Sequence, residues 1–171
     1  TLLYWERSRS ASIKPLERLG ANLALFTHPD NWLTEQTKIL KTKAQNINTK
    51  VLELSLIAYR KARLEGLDKK QLLTVIDYSK PSSEKRLWVF DLKNNKTLYN
   101  TWVSHGKNSG SNAHATSFSN QDGSLKSSIG VFVTDQTYVG HVGYALRLSG
   151  LEKGVNDHAY ERAIVIHGAR Y

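Results

Sequence analysis

The residues best suited to chemistry stand near the end of the chain, where the apolar run Ala163-Ile164-Val165-Ile166 delivers His167 next to Gly168. An imidazole exchanges protons near neutral pH, which makes it the commonest general base. A strand would hold it rigidly, and the glycine lets backbone or substrate come close. A histidine at the end of an apolar strand is also commonly structural, so the motif needs company. Arg147 and Tyr144 lie in another run, Tyr144 to Leu148. A guanidinium pairs well with planar carboxylates, so these two are candidates for gripping an acidic substrate. An ordinary surface arginine in a strand pair is an equal reading. His105, Lys107 and Asn108 fall in Ser104-His105-Gly106-Lys107-Asn108-Ser109-Gly110, a candidate substrate-contact loop or simply an exposed turn. This string lacks the Walker spacing, which argues against a nucleotide phosphate site.

His105, His114, His141, His158 and His167 raise the alternative of a zinc hydrolase. No HExxH or comparable close pair occurs among them, so no metal is expected. Cysteine is absent from all 171 residues. The chain therefore holds no disulfide, no thiolate metal site and no thiol nucleophile of its own.

These side chains must be positioned by a fold, and the patterning predicts two parts. Residues 1–47 read as a helical or irregular extension, with Leu16, Leu19, Leu23 and Phe26 spaced like one helix face. Trp32, Leu33, Ile39 and Leu40 then suit a second short helix or a structured loop. A stronger helix follows over Asn48 to Glu65, with Asn48 as N-cap, apolar residues every three or four positions, and Gly66 at its stop. Beyond Leu67 six strands are expected, at Leu72 to Tyr78, Arg86 to Leu92, Thr97 to Ser104, Ile129 to Thr134, Tyr144 to Leu148 and Ala163 to His167. Lys93-Asn94-Asn95-Lys96 should close an antiparallel hairpin between the second and third. The polar stretch from Gly106 to Ser128 is long for a structureless loop, and loops of that kind usually bind something or move. The fold class is α+β, a mostly antiparallel or mixed sheet with N-terminal helices packed on it.

Composition bounds the partners. The formal charge of +9 favours polyanionic surroundings. The basic residues before position 71 are interspersed with carboxylates and apolar positions, as on solvated helix faces, so no nucleic-acid partner is expected. No apolar run reaches the roughly 20 residues of a transmembrane segment.

Several strings, taken in order, resemble the murein L,D-transpeptidase catalytic-domain family, a branch of the YkuD-like fold. They are Arg86-Leu87-Trp88-Val89-Phe90-Asp91-Leu92, Val103-Ser104-His105-Gly106-Lys107-Asn108-Ser109-Gly110, Thr116-Ser117-Phe118-Ser119-Asn120, Gly123-Ser124-Leu125-Lys126-Ser127-Ser128-Ile129-Gly130-Val131-Phe132, Gly143-Tyr144-Ala145-Leu146-Arg147-Leu148, and Asn156-Asp157-His158-Ala159-Tyr160-Glu161-Arg162 running into the His167-Gly168 motif. The resemblance spans residues 48–171 and implies a cysteine enzyme that attacks the bond between the L-centre of diaminopimelate and terminal D-Ala in a peptidoglycan stem peptide. A second stem amine, or water in a carboxypeptidase, would then take the acyl group. It further implies His167 as the base, no cofactor, a periplasmic or extracellular place in the cell envelope, and acylation by carbapenems. The family's nucleophile belongs to a serine, variable, glycine, cysteine motif downstream of the histidine, and this sequence reaches Tyr171 without one. The expectation is a catalytic domain incomplete at its C-terminus and inactive as it stands. A non-catalytic envelope-binding protein is the alternative.

Overall fold

In the computed structural model the described residues are 2–6 and 31–169. The helix expected over Leu16 to Phe26 lies outside them. Two helices, α1 (Asn31–Lys43) and α2 (Thr49–Leu64), precede six strands: β2 (Leu72–Asp77), β3 (Leu87–Asp91), β4 (Lys96–Thr101), β5 (Gly130–Gly140), β6 (Gly143–Gly150) and β7 (Val165–His167). A further strand, β1 (Leu2–Glu6), comes from the start of the chain.

Helix α2 forms where its signals lie. The Asn48 carboxamide accepts from the Lys50 and Val51 amides at 2.8 and 3.3 Å, capping donors that have no partner within the helix. At the other end Gly66 takes φ +75°, and the Leu67 and Gly66 amides donate back to Ala62 and Arg63. Between the caps Val51, Leu52, Leu56, Tyr59 and Ala62 are buried. Trp32 of α1 stacks on Tyr59, with ring centroids 6.4 Å apart. The segment left open between helix and structured loop is thus a helix, fixed by this packing.

The seven strands make one sheet in the order β4-β3-β2-β1-β5-β6-β7. Two antiparallel three-stranded units, β4-β3-β2 and β5-β6-β7, flank β1, which runs parallel to β2 and antiparallel to β5. The expected β3–β4 hairpin is present, with Asn95 at φ +53° and Asp91 accepting from the Asn94 amide at 3.0 Å.

Several details differ from the sequence expectation, among them β4, which ends at Thr101 and not at Ser104. No strand is expected before Leu72, because Leu2–Glu6 is too short to show a period; its place comes from two long-range ladders. β5 continues six residues past Thr134, through a polar stretch that pairing to β6 holds in place, with a bulge between Thr134 and Thr137. β7 starts only at Val165, since Ala163 takes φ +53° in the preceding turn.

The sheet is covered on both faces. Helices α1 and α2 meet one face, where Leu73, Val75, Trp88, Phe90 and Val131 are buried against Leu40, Val51, Leu52 and Leu56. On the other, Ile76, Leu87, Phe132 and Leu148 lie under Ala115 and Phe118 of the 106–128 loop and Ala159 of the 151–164 connection.

Candidate active site

His167 closes β7, the edge strand of the sheet, and is half-buried. Its register partner is Ala145 on β6, whose own partner on β5 is Tyr138. Opposed residues of an antiparallel pair share a face, so Tyr138, Ala145 and His167 form a row. Ile166, one residue earlier, points to the opposite face and joins the core beneath the loops. The alternation of an apolar strand thus turns the histidine away from that core.

His167 Nδ1 lies 3.0 Å from the carbonyl oxygen of Gly168. A carbonyl only accepts, so Nδ1 carries the proton in this bond and Nε2 keeps its lone pair. Nε2 has no partner among the described residues. That tautomer can take a proton from a group brought against it.

Arg147 stands on the same face as His167, two residues along β6 from Ala145. Its guanidinium carbon sits 4.5 Å from the Tyr138 ring centroid and 5.1 Å from that of Tyr160. Tyr144 is 68% exposed and, by alternation, points to the other face, so the structure does not bring it beside His167.

His105, Lys107 and Asn108 occupy the 106–128 loop and its approach. His105 Nδ1 meets Arg86 Nη2 at 2.9 Å and Nε2 meets the Ser111 carbonyl at 2.8 Å. Arginine only donates, which places the His105 proton on Nε2. The Asn108 side chain donates to the Ser124 carbonyl at 3.0 Å, while Lys107 is exposed. Both His105 and Asn108 therefore build the loop itself.

This loop is cross-linked throughout. Arg86, fully buried, donates to the Lys80 and Val103 carbonyls as well as to His105. Burial pulls its guanidinium below the usual arginine range, opposed by Tyr78 and Asp77. Arg162 ties the loop to the segment before β7, bonding Ser119, Ser124, Lys126 and Ser128. Asn120 reaches Asp157 at 2.8 Å. The carboxyl of Asp157 pays some desolvation, but the Gly154 amide and Asn120 outweigh it and hold it below the usual carboxylate range.

A second anchor fixes the β5–β6 unit. Asn156 Nδ2 donates to the Ile129 and Val131 carbonyls, and Glu152 accepts from the Val131 amide at 2.7 Å. Gly150 is required there, since a Cβ would lie 1.9 Å from the Asn156 carbonyl oxygen.

Sequence reasoning passes over Tyr138, Tyr160, Arg86 and Arg162. Tyr138 was accessible by counting outward from the tight Gly140-His141-Val142-Gly143 turn, which sets it opposite Ala145. The two arginines carry no local signal, because most of their acceptors, carbonyls, serine hydroxyls and the His105 ring, are distant in sequence. Among the described residues no three of His, Cys, Asp and Glu gather as metal ligands would, and no helix is long and apolar enough to cross a membrane.

No curated protein and no solved structure matches the chain. The sequence profile of the L,D-transpeptidase catalytic domain matches residues 43–171, three quarters of the chain and all of the sheet beyond β1. With His167 at the end of its strand and the α+β sheet around it, the chain belongs to the L,D-transpeptidase catalytic domain family, whose members act on peptidoglycan.

Proposed function

We propose that the protein remodels peptidoglycan in the cell envelope as an L,D-transpeptidase, with His167 as general base for a cysteine thiol. The observation that carries this is the tautomer of His167, whose Nδ1 is engaged by the Gly168 carbonyl while Nε2 has no partner among the described residues. The described and undescribed residues alike contain no cysteine, so the reading requires the nucleophile on residues after Tyr171 of the full-length protein. Thiol acyl transfer depends on that cysteine.

In this mechanism Nε2 of His167 accepts the thiol proton as sulfur attacks the carbonyl between the L-centre of diaminopimelate and D-Ala. A C–S bond forms and the C–N bond breaks. The imidazolium returns its proton to the departing D-Ala amine. A stem-peptide amine then attacks the thioester, His167 takes the amine proton and passes it to the leaving thiolate, and a cross-link results. Water in place of the amine gives the L,D-carboxypeptidase reaction. The tight cross-linking of the 106–128 loop supports a fixed layer on the face opposite His167 rather than a mobile cover.

Incubating the full-length protein with a stem tetrapeptide and separating the products tests this reading. Cross-linked dimer with released D-Ala is the expected result, and tripeptide with D-Ala would assign the carboxypeptidase. If the tetrapeptide is bound but returned intact, the envelope-binding alternative replaces the enzyme.

A further inference from the structure

We propose that Arg147, set by Tyr138 and Tyr160, is the receptor for a carboxylate of the stem peptide next to the scissile bond. This rests on the proposed transpeptidase reading and assigns substrate recognition to that same face of the sheet.

Arg86, Arg162 and Arg147 differ in what their donors do. Arg86 and Arg162 direct theirs onto carbonyls and serine hydroxyls of their own loops. Arg147 makes no hydrogen bond or ion pair with any described residue. Its contacts are with the two tyrosine rings, 4.5 and 5.1 Å from the guanidinium carbon. Cation–ring contact of this kind orients a guanidinium and stabilises its charge, but it satisfies none of the five N–H donors. Asp135 lies in the β5 bulge opposite Arg147, yet its oxygens accept from Ser149 and from the Gln136 amide. The result is a half-buried, oriented cation whose planar fork has no partner among the described residues, the geometry that binds a carboxylate through two parallel bonds.

Its position selects the ligand. Arg147 and His167 are diagonal neighbours across β6 and β7 on one face, with Ala145 between them. Ala145 is only 1% exposed although it belongs to neither core, as expected if the larger side chains around it close over its methyl group. The Tyr138 ring leans over Gly140, where a Cβ would come within 2.6 Å of it, so the hairpin backbone itself seats that ring. A peptide whose carbonyl lies against His167 would bring a nearby carboxylate to Arg147. In a stem ending in diaminopimelyl–D-Ala, two groups qualify: the terminal D-Ala carboxylate and the carboxylate on the D-centre of diaminopimelate.

Calorimetric binding to the full-length protein carrying His167→Gln, which reads affinity without turnover, tests the assignment with the tetrapeptide and two singly amidated versions. Amidating the recognised carboxylate should weaken binding about 10- to 100-fold, as loss of a charge-assisted pair does. The sensitive version identifies which carboxylate is bound. Adding Arg147→Gln should erase that difference, while Arg147→Lys should keep part of it. If Arg147→Gln fails to fold, Tyr138→Leu replaces it and should reduce the discrimination between acid and amide. Equal weakening of all three peptides by either substitution, or no effect of amidation at either position, overturns the proposal. Failure of the wild-type protein to acylate would count against the transpeptidase reading alone, since carboxylate discrimination in this assay needs no thiol.

Discussion

His167 and His105 are both histidines beside a glycine at the end of an extended run, yet their surroundings assign them different work. Both nitrogens of His105 are occupied, by Arg86 and by the Ser111 carbonyl, whereas only Nδ1 of His167 has a described partner. His105→Ala would strip the buried Arg86 fork of an acceptor. We expect it to lower stability by about 1–3 kcal/mol and to leave tetrapeptide affinity unchanged, read by thermal unfolding and calorimetry; weakened affinity in a stably folded variant would return His105 to the binding surface. At this scale the sequence was informative about residue type and less so about partners. The strand-histidine-glycine pattern made His167 a candidate, and only the family resemblance proposed it as the base. Arg147 stood out as a candidate by its place on a strand, but neither its aromatic neighbours nor the saturation of buried Arg86 had a local signal.

At the scale of elements, the legible parts are those whose causes are local. Helix α2 begins and ends at its capping residues, so Asn48→Ala should cost about 1 kcal/mol by unfolding Asn48's two bonds to the first turn. A denaturation midpoint equal to wild type would show that the cap is redundant with the packing of α2. The β3–β4 hairpin follows from Asn94 and Asn95 in the same local way. The outer half of β5 and the whole of β1 escaped because their order is imposed from elsewhere: polar Asp135-Gln136-Thr137 is held by the ladder to β6, and Leu2–Glu6 by ladders to β2 and β5. The 106–128 loop is a third case. Its composition suggested a binding or moving loop, and its order comes from Arg162 and Asp157, which bind it from positions distant in sequence, and from Arg86, which holds His105 on its approach.

For the whole molecule, one sheet carries helices on one side and stapled loops on the other, and the second layer has a titratable centre in Tyr78. Burial pushes the Tyr78 phenol up from 10.0 to about 12, against smaller opposing effects of Ser127 and Arg86. A group raised in the folded state favours folding fully below its unfolded value, so this contribution is intact below pH 10 and is lost as pH rises through about 12. Each unit corresponds to about 1.4 kcal/mol. Tyr78→Phe should therefore flatten the alkaline decline in melting temperature, and an unchanged slope would place the titration elsewhere. His167, the proposed base, stands at the end of β7. The most direct test of that role is intact-mass analysis of the full-length protein after exposure to a carbapenem, wild type beside His167→Gln. A covalent adduct on a cysteine beyond Tyr171 is expected in the wild type, and acylation slowed at least about 100-fold in a variant that melts like it. Equal acylation rates in the two proteins would contradict the assignment of His167, and a wild type that forms no adduct would contradict the enzyme.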